Sequence, residues 1–191
     1  IAFLDCQVAM LANEIMNYFA SETPPQRAGN AHQNLVPYQV FAVADGHMIV
    51  AVGNDSQFRS YCTAIGHSEL ALDPRFRTNP QRVRNREPLI ALLSEIMQSK
   101  PVAYWLSLFE SVNVPAGPIN NLEQVYQNPQ VQARKMKISL PHPTAGQAKL
   151  VASPLRLSDS PVEYHSAPPL LGEHTEQVLT DILGLSPEQI K

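Results

Sequence analysis

Proline placement limits how long any element of this chain can run. The sequence holds 17 prolines against 8 glycines. A proline lacks the amide and clashes with the preceding turn, so it ends or kinks a helix. From Ala2 to Phe19 the residues Leu4, Val8, Leu11, Ile15 and Tyr18 recur at helical spacing, and Pro24-Pro25 stops the pattern. Residues 21–37 then read as a long irregular loop, of a length that is commonly functional or a linker. Tyr38–Val52 reads as a β-hairpin around Asp45-Gly46, a dipeptide suited to the positive φ angles of tight hairpin turns. Asn54 is placed to cap a helix through Phe58, Tyr61, Cys62 and Ile65, closed by Gly66.

Further along, Asn79 as N-cap with Pro80 behind it opens a helical pattern through Val83 to Met97, which Pro88 should kink or split. Ser99 can cap a helix carrying Val102, Trp105, Leu106 and Phe109, and Val112–Pro118 reads as a loop. Asn121 and Asn128-Pro129 start two short helices. Met136–Leu157 reads as strands broken by Pro141, Pro143, Gly146 and Pro154. A last helix is expected from Gly172 to Leu183, with one further turn at Ser186-Pro187-Glu188. The expected class is mixed α and β. Residues 38–135 form the expected compact unit, with 1–37 and 136–191 as flanks that dock elsewhere.

Hydrophobic residues make up 44% and charged residues 16%, which argues against a disordered tail or a coiled coil. No uninterrupted apolar run is long enough for a membrane span. The net charge of −3 argues against non-specific nucleic-acid binding. Cys6 and Cys62 belong to no CxxC pattern, so neither a disulfide scaffold nor a zinc site is expected, and a reducing cytoplasm fits. The chain opens on Ile1 inside a helical pattern, without a cationic leader. It therefore reads as the C-terminal part of a longer polypeptide.

No Gly-x-Ser-x-Gly elbow or P-loop is present, and the six histidines show no metal-ligand spacing. The best functional candidate is Gly29–Tyr38, where Gly29, Asn30, His32, Gln33, Asn34 and Tyr38 could close over a ligand carboxylate. Taken alone, these residues fit a linker with self-capping turns better. Pro168–Thr175 reads as a rigid entry to the last helix. Arg75, Arg77, Arg82, Arg84 and Arg86 read as a solvated helix face before a phosphate site.

Several segments, taken in order, resemble class III CoA-transferases, the family of formyl-CoA transferase, carnitine CoA-transferase and α-methylacyl-CoA racemase. They are Leu4–Leu11, Gly29–His32 with Val36-Pro37-Tyr38, Asp45-Gly46, Asp73–Phe76, Asn79–Arg86, Val114–Asn120, Asn128–Val131 and Ala167–Thr175. Asn79–Arg86, Val114–Asn121 and His142-Pro143-Thr144 lean toward the branch that moves CoA between dicarboxylates such as succinate and glutarate. The resemblance implies the C-terminal half of an interlocked homodimer. In it a small α+β domain is joined by segments that complete a Rossmann-like large domain. It implies a coenzyme A thioester and a small carboxylic acid as substrates, with no tightly bound cofactor and no metal. It also implies an aspartate nucleophile that forms a mixed anhydride. That residue lies upstream of Ile1 in the family pattern, so this chain carries no catalytic residue and the fragment alone is expected to be inactive. Gly29–Val36 would be the loop that keeps water from the intermediate. The glycine run of formyl-CoA transferase is replaced here by His32-Gln33-Asn34-Leu35. A racemase of the same superfamily, or a non-catalytic binding module, are the alternatives.

Overall fold

The computed structural model describes residues 1–190. Two compact units emerge, Ile1–Ile119 and the residues from Asn120 on. The short helices after Asn120 group with the C-terminal unit.

The first unit is built on a three-stranded antiparallel sheet in the order β1 (Tyr38–Val43), β2 (Gly46–Ala51), β3 (Ala116–Pro118). β3 lies in the segment expected to be a loop, and Pro118 is tolerated there because β3 is an edge strand. Val43 pairs with Gly46, so the connection is Ala44-Asp45. Neither Asp45 nor Gly46 adopts a positive φ. The turn is shaped from outside instead. Ala44 N donates to Lys100 O at 3.1 Å, and Asp45 Oδ1 accepts from Val102 N at 2.8 Å. Asp45 therefore serves a helix N-terminus that Ser99 does not cap. Ser99 Oγ turns back to Ile96 O.

Alternation along the strands buries Phe41 and Val43 from β1 and Met48 and Val50 from β2. Three helices cover that face. They are α3 (Asp55–Ala64), α5 (Arg86–Met97) and α6 (Val102–Ser111), which contribute Phe58, Tyr61 and Cys62, then Leu89, Leu93 and Met97, then Trp105 and Phe109. The four-residue spacing of Leu89, Leu93 and Met97 makes one stripe. Trp105 Nε1 donates to Met97 O at 2.8 Å, which satisfies the one polar atom of that ring. Asn54 caps α3 as expected, accepting from Gln57 N at 2.9 Å, and Gly66 closes it with φ +81°.

The opening helical pattern is not one helix. It breaks at Leu11 into α1 (Phe3–Met10) and α2 (Ala12–Ser21), at a position with neither proline nor glycine. Neither helix buries a residue, and Phe3 is 91% exposed. The pattern around Pro88 does split, at Asn85, into α4 (Asn79–Arg84) and α5. Pro88 then sits in the first turn of α5, where its missing amide costs nothing.

The second unit holds α7 (Leu122–Gln127), α8 (Pro129–Ala133), the hairpin β4 (Lys137–His142) with β5 (Gly146–Val151), α9 (Thr175–Asp181) and α10 (Pro187–Ile190). Asn121 and Asn128 cap α7 and α8, accepting from Gln124 N and Gln130 N at 2.9 Å each. Ala152 is the one buried hydrophobic residue among the described residues of this unit.

Candidate functional site

The Gly29–Tyr38 segment is not a free linker. It is tied to the α4–α5 segment by side chains whose partners are its backbone groups. The local sequence explains why they are available. Thr78, not Asn79, precedes α4 as its N-cap, and Gln81 Oε1 accepts from Thr78 N at 3.2 Å and from Thr78 Oγ1 at 3.0 Å. That arrangement releases the Asn79 side chain. Its Oδ1 accepts from Val36 N at 3.2 Å, and its Nδ2 donates to Asn34 O at 2.7 Å.

Arg82 is fully buried. Its Nε donates to Val36 O at 2.6 Å, its Nη1 to Phe76 O at 3.0 Å and its Nη2 to Asp55 Oδ1 at 2.9 Å. The guanidinium carbon lies 4.3 Å from the centroid of the Phe58 ring. Asp55 Oδ1 also accepts from Asn79 N at 2.8 Å, which closes the network. Arg86 reaches the next stretch, its Nη2 donating to His32 O at 2.8 Å and Gln33 O at 2.7 Å. Burial lowers the pKa of both arginines. For Arg82 the Asp55 carboxylate opposes the shift, and for Arg86 burial is the sole cause. Both remain charged, because guanidinium starts far above neutrality. Arg86 Nη1 is buried and has no hydrogen-bond partner.

Inside the loop, His32 N donates to Tyr38 O at 2.9 Å, and the two rings lie 5.2 Å apart between centroids. Asn34 N donates to His32 Nδ1 at 3.0 Å. The neutral imidazole therefore carries its proton on Nε2. Asn30 Oδ1 accepts from Val40 N at 2.9 Å, and Asn34 Nδ2 donates to Asn17 Oδ1 at 2.9 Å. Gln33 Nε2 reaches Gln26 O at 3.4 Å. Gly29 takes φ +63°, where a side chain would be strained. Five of the six residues singled out in the sequence thus fall in one loop, and Tyr38 opens β1. The side-chain amide of Gln33 is engaged within the loop and that of Asn34 by Asn17 of α2, while the Nε2–H of His32 is free of a partner among the described residues.

Two of the arginines expected on a solvated face instead hold this loop, and Asn79 is a clamp rather than a cap. The sequence does carry a signal for this. Asn79, Arg82 and Arg86 recur at near-helical spacing with few acids nearby, so their charge and polarity need other acceptors. Arg75 does behave as expected and pairs with Asp73 at the surface, at 2.7 Å. No metal-binding cluster of His, Cys, Asp and Glu occurs among the described residues. Cys62 is no nucleophile, since burial pushes its thiol up to about 12. At Pro168–Thr175, Glu173 Oε2 accepts from Leu170 N at 2.6 Å, a local turn contact. The loop can cover, orient and donate; no carboxylate or free thiol lies in it to attack a substrate.

The sequence profile of CoA-transferase family III matches residues 1–175. The chain belongs to this family. It is 41% identical over 181 residues to a succinate–glutarate CoA-transferase of Agrobacterium fabrum, covering 95% of this chain and 45% of that protein. With the human succinyl-CoA:glutarate CoA-transferase it shares 38% identity over 186 residues, covering 95% of this chain and 42% of that protein. Among solved structures, a CAIB/BAIF family protein from Brucella suis superposes with a TM-score of 0.74 at 42% identity, over 94% of this chain and 46% of that one. The family III chain thus spans less than half the length of these relatives. Its mixed α/β architecture is the one expected, and no helix among the described residues is long and apolar enough to cross a membrane.

Proposed function

We propose that this chain is part of a CoA-transferase that moves coenzyme A from an acyl-CoA to a dicarboxylic acid of the succinate–glutarate class. The observation that carries this reading is the pair of succinate/glutarate relatives, at 41% and 38% identity over 95% of the chain. In the proposed reaction an aspartate outside this chain attacks the thioester carbonyl. The carbon–sulfur bond breaks, CoA leaves as thiolate, and a mixed anhydride remains. The acceptor carboxylate attacks the aspartyl carbonyl of the anhydride, and the donor acid leaves as its carboxylate. CoA thiolate then attacks the acceptor's acyl carbonyl, which forms the new thioester and returns the aspartate. An acyl anhydride is at least as activated as a thioester, so the exchange needs no ATP.

The contribution of this chain is the Gly29–Tyr38 loop, with Gly29, Asn30, His32, Gln33, Asn34 and Tyr38 next to substrate. The clamped backbone supports that role, because a loop that excludes water must be held in one shape. The wider assembly is an interlocked homodimer. Residues 1–37 and 136–191 join a Rossmann-like large domain, and 38–135 form the small one. The exposed apolar residues of α1 and α2 support a docking role for the first flank.

The test uses the complete polypeptide that contains this chain. Incubated with succinyl-CoA and glutarate, it should yield glutaryl-CoA and succinate, read by mass spectrometry. Borohydride should trap the acyl-enzyme at one aspartate outside residues 1–191. Exchange of the α-proton of a branched acyl-CoA in D2O, without acyl transfer, would instead establish a racemase.

A further inference from the structure

We propose that Arg86 is a positioning residue for this reaction, setting the shape of the covering loop and with it the division of acyl groups between acceptor acid and water. The inference rests on the transferase reading above and names a residue outside the loop that the reaction depends on.

The loop has two parts with different restraint. Residues 21–30 are exposed throughout. Residues 32–36 are held at backbone groups by three side chains from one neighbouring segment. Asn79 takes Val36 N and Asn34 O, Arg82 takes Val36 O, and Arg86 takes His32 O and Gln33 O. Arg82 and Asn79 share Asp55 and hold the end that enters β1, so they belong to the core. Arg86 alone of the three grips the stretch that carries His32.

Its grip has a chemical consequence. One nitrogen, Nη2, bridges two successive carbonyls, so the peptide groups on either side of Gln33 cannot rotate independently. That geometry turns Asn34 N toward His32 Nδ1 at 3.0 Å. The acceptor nitrogen of the imidazole is thereby used up, and the proton is confined to Nε2, the ring atom left free to donate to a carboxylate. The Tyr38 ring, tilted by 31° at 5.2 Å between centroids, packs beside the imidazole and limits its rotation. Arg86 has no carboxylate partner among the described residues, and its Nη1 is buried without a partner. A charged group left in that state contributes little as an ion pair. Its role here is the hold on the two carbonyls.

The experiment replaces Arg86 by Met and by Lys in the complete polypeptide. Amide exchange by mass spectrometry reads the peptide spanning 31–38, and product analysis reads glutaryl-CoA formed against succinyl-CoA hydrolysed. Arg86→Met should speed exchange at Asn34 by about tenfold, the factor for loss of one ordinary hydrogen bond. The hydrolysed share should rise by a similar factor. Arg86→Lys, which keeps the charge and a donor nitrogen but on a shorter, more flexible side chain, should fall between Met and wild type. A general loss of stability would lower transfer and hydrolysis together and leave their ratio unchanged.

Faster exchange with an unchanged ratio overturns the proposal, as does unchanged exchange. If the Met variant does not fold, the Lys variant is read by the same two measurements, and the same results support or overturn the proposal. A wild-type protein that transfers to no dicarboxylic acid overturns the proposed function itself. Exchange then still decides whether Arg86 holds the loop.

Discussion

Replacing Arg82 by Met should destabilise the N-terminal unit by about 3–5 kcal/mol, chiefly because two buried carbonyls lose their donors. The structure says where that loss comes from. Arg82 is 0% exposed, and its substitution strips donors from Val36 O and Phe76 O, both on fully buried residues. Each orphaned carbonyl costs about 1–3 kcal/mol. The contact with the Phe58 ring adds about 1 kcal/mol. The ion pair adds less than its 2.9 Å length suggests, because the Asp55 side chain is 41% exposed and its field is screened. Asp55 also keeps its bond from Asn79 N. Methionine recovers part of the packing, which keeps the total below the sum of these losses.

Asp55→Asn therefore provides the discriminating comparison. It keeps an oxygen acceptor and loses only the charge, so it should cost about 1 kcal/mol. At roughly 3–6 °C per kcal/mol for a unit of this size, Arg82→Met should lower the melting temperature of that unit by about 9–30 °C. Asp55→Asn should lower it by about 5 °C. Scanning calorimetry and urea titration on the complete polypeptide read both. Equal losses for the two variants would mean that the ion pair, not the orphaned carbonyls, carries the energy, and the reasoning would be wrong. So would a loss under about 1 kcal/mol for Arg82→Met.

Cys62, with its thiol pushed up to about 12, should be thiolate in about one molecule in ten thousand at pH 8. Peptide mapping after iodoacetamide should find it unmodified in the folded protein and fully alkylated in denaturant. Asp73 is held below its ordinary value of 3.8, first by hydrogen bonds from the Arg75 side chain and then by Arg75 N. A depressed carboxyl stabilises the fold above its unfolded pKa and loses that contribution as pH falls through the folded value. Arg75→Ala should raise the Asp73 pKa in an NMR titration and flatten the acid limb of the stability curve below about pH 4.

Much of the local architecture is legible in residue order. Asn54, Asn121 and Asn128 cap the helices that they precede, Pro88 splits its helical pattern, and Tyr38–Ala51 is a hairpin. Each depends on neighbours within a few positions, which is the range over which side-chain caps and proline sterics act. The candidate loop is also visible in the sequence, as a polar stretch between two periodic segments. Its partner set is not. The departures at Asn79 and the Asp45-Gly46 turn share one cause. In each case a group that could serve its own turn is matched to one far along the chain, as Asp45 is to Val102 N.

The sequence by itself determined the short-range elements, the mixed α/β class and the family, because these rest on spacing and on motifs kept in order. Only the tertiary structure decided that Arg82 and Arg86 face inward. A buried guanidinium is tolerable when several acceptors converge on it, and here those acceptors are backbone carbonyls of residues 32–36 and of Phe76. A carbonyl is identical at every position of a sequence. Which of them meet one arginine is fixed by the path of the chain in space.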